Sequence, residues 1–116
     1  MKRFKEAALL RVFIGESDEH DGRPLYESIV LKAREMGIAG ATVLRGPMGY
    51  GKSSRLHTAK ILRLSEDLPM VIEIVDAMDR IEELLNALEA MMESGLVTLE
   101  AVRVVRYGSE QSMGEE

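Results

Sequence analysis

Arg45-Gly-Pro-Met-Gly-Tyr-Gly-Lys-Ser-Ser54 contains, from Gly46 to Ser53, the letters G-x-x-x-x-G-K-S of a phosphate-cradling loop. Glycines there would let backbone N–H groups approach an anion closely, and Lys52 would bring a point charge to a phosphate. The same letters also describe a glycine-rich hairpin tip that meets a short pattern by chance. What stands on either side decides between these readings, and with them the fold.

Upstream, Gly40–Arg45 reads as a short strand leading straight into the motif. Before it, Leu25, Ile29, Ala33 and Met36 recur at helical spacing up to Gly37, a suitable left-handed terminator, and Pro24 suits the first helical turn. Gly15–Gly22 is a polar, acidic loop. Ala7–Ile14 (AALLRVFI) is apolar on both faces apart from Arg11, the pattern of a central strand.

Downstream, Ser53–Ser65 fits a helix through Leu56, Ala59 and Leu62, and equally a strand through Thr58, Lys60, Leu62 and Leu64. Ser65–Pro69 breaks either one. Met70–Val75 (MVIEIV) is a strand with Glu73 as its one charge. Asp76 is expected to cap the next helix, with Asp79 near its positive end. Ile81, Leu84, Leu85, Leu88, Met91 and Met92 make an amphipathic stripe that Gly95 ends. Val97–Tyr107 is a last strand, with Arg103 and Arg106 on opposite faces, and Gly108–Glu116 is a polar tail.

The order β-α-β-(long loop)-β-α-β predicts an α+β fold, the ferredoxin-like βαββαβ sandwich: a four-stranded antiparallel sheet with two helices on one face. Residues 1–107 form one domain, with a long loop at 46–69 and the tail at 108–116. Two helices cover one face of the sheet. Three of the strands are apolar on both sides, so the second face is expected to meet other subunits.

This order counts against a P-loop NTPase. The motif follows the second strand, and the chain is too short for the usual five-stranded parallel sheet. Met70–Asp76 imitates a Walker B strand ending in an acid, but Asp76 is better used as a helix cap. What survives is a long connection whose base is fixed by strands, the kind of segment a ligand can order.

The chain has 116 residues, a net charge of −5 and no cysteine. Its basic residues are scattered, which argues against nucleic-acid or anionic-membrane binding. Without cysteine there is no disulfide framework, thiolate zinc site or cysteine nucleophile. No run is long enough to span a bilayer and none reads as a secretory signal, so the expected location is the cytoplasm. No nucleophile–base pair is visible, so no catalytic residue is expected. Glu16, Asp18, Glu19, His20 and Asp21 lack EF-hand spacing and read as a solvated loop rather than a metal site. Glu73 reads as the partner of an arginine, since an unpaired buried carboxylate is costly.

Several segments together resemble the PII-like signalling proteins, and specifically the family called domain of unknown function 190. They are Gly15-Glu-Ser-Asp18, Gly22-Arg-Pro-Leu-Tyr26, Gly37-Ile-Ala-Gly-Ala-Thr-Val-Leu-Arg-Gly46, Gly49-Tyr-Gly51, Leu64-Ser-Glu-Asp-Leu-Pro69 and Gly95-Leu-Val97. The resemblance spans residues 7–107. It implies a homotrimer of ferredoxin-like subunits, with the 46–69 loop as the counterpart of the PII T-loop. An adenine nucleotide (AMP, ADP or ATP, with or without Mg²⁺) would bind in clefts between subunits. By position, Arg45, Gly46, Gly49, Gly51, Lys52 and Ser53 correspond to the loop base. Arg103 and Arg106 fall on the last strand, where PII proteins place phosphate-binding arginines. Glu93-Ser-Gly-Leu-Val97 replaces the PII Gly-Asp-Gly-Lys segment, so 2-oxoglutarate sensing does not carry over. The implied role is a non-enzymatic regulatory module whose loop contacts a partner protein, a membrane transporter or an enzyme. The alternatives are a small Mg²⁺-dependent nucleotide hydrolase using Lys52, and a trimeric metal- or small-molecule-binding protein using the acidic loop.

Overall fold

The computed structural model describes residues 5–51, 57–58 and 67–108. Strand β1 (Lys5–Gly15) is two-sided: Ala8, Leu10, Val12 and Ile14 are buried, while Leu9, Arg11 and Phe13 on the opposite side are half-buried. Two short strands follow, β2 (Glu19–His20) and β3 (Arg23–Pro24), paired across Asp21-Gly22. Both turn residues have positive φ, 54° and 76°, the backbone of a two-residue hairpin for which Asp-Gly is a favoured pair.

Helix α1 (Leu25–Glu35) starts one residue later than expected. Pro24 pairs with Glu19 in the small ladder and has ψ 133°, so it stands at the N-cap outside the helix. The far end follows the sequence closely. Gly37 takes φ 78°, its N–H donates to Arg34 O (3.1 Å), and the Ile38 N–H reaches back to Ala33 O (3.0 Å). These are the two bonds of a Schellman cap, with Ile38 buried behind it. Gly37→Ala should therefore cost about 1 kcal/mol, read as a lower urea midpoint at unchanged slope. An unchanged midpoint would mean that the cap contributes nothing.

Among the described residues five more strands and one helix follow: β4 (Thr42–Arg45), β5 (Met48–Gly49), β6 (His57–Thr58), β7 (Pro69–Asp76), α2 (Met78–Glu89) and β8 (Leu96–Val104). The main sheet is four-stranded and antiparallel throughout, in the order β4-β7-β1-β8. This is the ferredoxin-like βαββαβ arrangement expected. Within the ambiguous segment 53–65, His57–Thr58 is extended and pairs with β5; the rest, like residues 109–116, lies outside the described residues.

The core fills the space between one sheet face and the helices. Leu10, Val12, Ile72 and Ile74 meet Ile29, Ile81, Leu84 and Leu88, all of them fully buried or nearly so. Each such side chain contributes roughly 1.5–3 kcal/mol by leaving water. The stripe on α2 outlasts the helix. The helix ends at Glu89, and the N–H groups of Met91 and Met92 both turn back to Leu88 O, yet the two methionines still pack on the core. Gly95 thus serves the turn into β8 (φ 118°) and not the helix end. No helix among the described residues is long and apolar enough to cross a membrane.

Among the described residues the other sheet face carries no helix. Register sets its residues in rows. Leu44, Val71, Phe13 and Leu96 line up across all four strands. A second row runs Thr42, Glu73, Arg11, Thr98, and a third runs Val75, Leu9, Glu100. Arg11 Nε donates to Glu73 Oε2 at 2.9 Å and its Nη1 to Glu100 Oε1 at 3.2 Å, the ion pair expected for Glu73. The Glu73 hydrogen bond above all, with smaller help from the charges of Glu73 and Glu100, raises the guanidinium pKa above its ordinary value against the opposing effect of burial.

Candidate functional site at the base of the 46–69 loop

Antiparallel order brings three chain segments to one end of the sheet: the end of β1, the end of β4 and the start of β7. Gly15 pairs with Pro69, and Arg45 with Met70. The loop leaves from this end. Its first residue is tied down, because Gly46 N–H donates to Pro69 O (2.8 Å). The chain then folds back through β5, so that Gly49 lies against the same proline. A Cβ at either Gly46 or Gly49 would stand 3.0 Å from Pro69 Cγ. Both glycines therefore have a packing reason that owes nothing to phosphate: they close the loop base around the Pro69 ring.

Arg45 lies on the same side of the sheet as its register partner Met70. Its Nη2 donates to Glu16 Oε2 at 2.5 Å, with the arginine side chain 55% exposed and the glutamate 23%. Glu16 stands on a firmly held turn. Gly15 N–H donates to Asp18 Oδ2 (2.9 Å), Glu16 N–H to Leu68 O (2.8 Å) and Ser17 N–H to Asp67 Oδ1 (2.8 Å). The Asp18 carbonyl accepts Leu25 N–H (2.7 Å), which joins the turn to the start of α1. The resulting floor presents Arg45, the backbone of 46–51 and three carboxylates.

The predicted site residues divide between the two ends of the molecule. Arg45, Gly46 and Gly49 form the loop base, and exposed Gly51 continues it. Lys52 and Ser53 lie outside the described residues. Arg103 pairs in register with Glu6, whereas Arg45 lies in the row of Met70 and Ile14. Eight residues of β1 separate those rows, about 27 Å at 3.4 Å per residue. Arg106 lies past the end of β8, exposed, with Nε donating to Gly108 O at 3.4 Å, so the expected strand alternation with Arg103 does not extend to it. Within one subunit, then, neither arginine is near the loop base.

Asp76, the acid of the Walker-B-like run, is also at the far end of β7, in register with Ala8. It is buried, with Oδ2 accepting Ala39 N–H (2.9 Å) and Oδ1 accepting Ala77 N–H (2.6 Å). Ala77 is the N-cap of α2 and has no side-chain cap bond, so Asp76 ties the helix start to the α1–β4 loop instead of capping it as expected. In the acidic loop Asp18 holds the turn, and His20 Nε2 is 3.4 Å from Asp21 Oδ2. No group of three or more His, Asp and Glu side chains among the described residues is arranged to hold a metal ion.

Glu16, Asp67 and Pro69 were not recognisable from local sequence as parts of this end. Topology was the available signal, because in a βαββαβ sheet the residues after the first strand, after the second and before the third share one end.

The family model DUF190 (Uncharacterized ACR) matches residues 7–104. A UPF0166 protein of Aquifex aeolicus is 37% identical over 103 residues, covering 89% of this chain and 97% of that protein. A UPF0166 protein of Methanocaldococcus jannaschii is 35% identical over 95 residues, covering 81% and 87%. Among solved structures, CPII of Thiomonas intermedia K12, a nitrogen regulatory PII-like protein bound to ADP, AMP and bicarbonate, superposes with a TM-score of 0.66 at 17% identity, covering 90% of this chain and 92% of that one. The fold is thus that of the PII-like proteins. With residues 7–104 matched by one family model and with two relatives above 30% identity, the chain belongs to the DUF190 family.

Proposed function

We propose that this protein is a PII-like regulatory module that binds an adenine nucleotide at the base of the 46–69 loop and couples its occupancy to the loop's conformation. The observation that carries the reading is the loop base itself: a backbone pinned to Pro69, flanked by Arg45, from which the glycine-rich segment departs. The ADP and AMP bound to the similarly folded CPII support an adenine nucleotide as the ligand.

The subunit associates as a homotrimer through its uncovered sheet face, where the Leu44–Val71–Phe13–Leu96 row offers a continuous apolar strip. Association also supplies a partner for the divided site. Arg103 and Arg106, far from Arg45 in their own subunit, meet nucleotide phosphates at the loop base of a neighbour, together with Gly51, Lys52 and Ser53. Arginine forks suit that task. Ordering the loop costs entropy that the ligand offsets, so a partner protein would recognise the bound and empty forms differently.

Thermal unfolding with ATP, ADP and AMP tests the reading. Ligand at one hundred times its dissociation constant stabilises by roughly 2.7 kcal/mol, and Lys52→Ala should remove most of the shift. No shift with any adenine nucleotide up to millimolar concentration would sink it.

A further inference from the structure

The ion pair between Glu16 and Arg45 bears on how this site is regulated, and its role rests on the nucleotide-binding reading above. We infer that Glu16 is a built-in competitor for Arg45: its carboxylate occupies the guanidinium in the empty protein, and a phosphate-bearing ligand binds by displacing it. Glu16 therefore sets the ligand affinity of the loop base and discriminates against weakly charged anions.

Three observations lead there. First, the contact is short and charge-assisted, 2.5 Å from Nη2 to Oε2, and joins residues 29 apart in sequence. Second, Glu16 cannot retreat with its backbone. Its own N–H is held by Leu68 O, its neighbour Ser17 N–H by Asp67, and Gly15 N–H by Asp18, all at 2.8–2.9 Å. Only side-chain rotation can break the pair. Third, Glu16 is the less exposed partner, 23% against 55%, so the carboxylate stays at the site when Arg45 turns toward a ligand. There it faces the incoming negative charge alongside Asp18 and Asp67. Arg45, more exposed and at the end of edge strand β4, is the member able to change partners.

The arrangement gives the site a threshold. A monovalent anion competes poorly with a carboxylate already in hydrogen-bond contact. A di- or triphosphate, with several charged oxygens, outbids Glu16 by engaging Arg45 and the backbone of 46–51 together.

Titration calorimetry of the full chain with ADP is the test, on the wild type, Glu16→Gln, Arg45→Ala and the double variant. Glu16→Gln keeps the backbone bonds of the turn and should bind ADP about fivefold more tightly, the gain expected from removing a partly exposed ion pair that the ligand must break. Arg45→Ala should weaken ADP, and in that background Glu16→Gln should give no comparable gain, since the effect works through Arg45. Equal affinity of wild type and Glu16→Gln overturns the inference and leaves nucleotide binding intact. The same gain with or without Arg45 also overturns it, by reducing Glu16 to a general repulsive charge. If no variant binds ADP, the nucleotide reading itself falls and takes this role with it.

Discussion

Val71→Asp should convert the proposed trimer to folded monomers, seen in light scattering as a threefold drop in mass. Val71 is half-buried in the isolated subunit and stands between Leu44 and Phe13 in the apolar row that crosses the uncovered face. In an assembly closed over that face, its carboxylate would lie among Leu44, Phe13 and Leu96 with no cation of its own. Desolvating an unpaired carboxylate costs several kcal/mol even after relaxation, and a symmetric trimer meets the cost three times. At 1.4 kcal/mol per tenfold change, the dissociation constant moves by orders of magnitude. Arg11, in the neighbouring row of the same face, is already engaged by Glu73 and Glu100. The helix-side core is untouched, because Val71 and buried Ile72 point to opposite faces, so far-UV circular dichroism should keep its shape. An unchanged mass for the variant would refute the use of this face, as would a wild type that already runs as a single chain.

Sequence legibility divided along a physical line. Elements whose pattern is local were readable: the two-sided alternation of β1, the α1 stripe closed by Gly37, and the apolar run of β7. The element order then gave the sheet, and the charged residue inside an apolar strand correctly asked for a partner, Arg11, found 62 residues away. What escaped were contacts that no window contains. Asp76 looked like a helix cap because Asp before a helical stripe usually is one. It ends β7 instead, with its side chain on the buried face, where Ala39 from the α1–β4 loop competes for it. Met91 and Met92 sit on the helical stripe by count, yet the chain has already turned back on Leu88. At the loop base the glycines were read for a phosphate. Their closest neighbour is Pro69, read from sequence only as a breaker. Arg45 stands at the loop base, but Glu16, its partner there, belongs to a loop that composition alone marks as solvated. Arg103 and Arg106 are assigned to the same site as Arg45 by resemblance, whereas the register puts Arg103 at the opposite end of the sheet from Arg45, with Arg106 beyond the end of β8.

Asp76→Ala should be among the most damaging single changes to stability, by about 3 kcal/mol in urea unfolding. The carboxylate accepts two backbone N–H groups, from Ala39 and Ala77, and the residue is 5% exposed. Hydrogen bonds to a charged group contribute roughly 1.5–3 kcal/mol each, and removal strands two donors in a place water reaches poorly. The loss propagates. Ala39 is the residue whose carbonyl accepts the Tyr107 hydroxyl at 2.6 Å, so Asp76 fixes the loop on which the segment after β8 is fastened. Tyr107→Phe should cost about 1 kcal/mol, and less in the Asp76→Ala background, because the acceptor is then no longer held in place. Asp76→Asn should fall between wild type and alanine: its amide oxygen can accept one N–H, while its NH₂ must face the other donor. The same variant separates two meanings of this acid. If Asp76 served as a Walker B residue, Asp76→Asn would abolish Mg²⁺-dependent nucleotide binding at little structural cost. With both oxygens already engaged by backbone N–H groups, Asp76→Asn should lower the unfolding midpoint and leave ADP binding in place with or without Mg²⁺, weakened at most through the Tyr107-anchored segment that carries Arg106. A stable Asp76→Asn protein that no longer binds nucleotide would reverse that assignment.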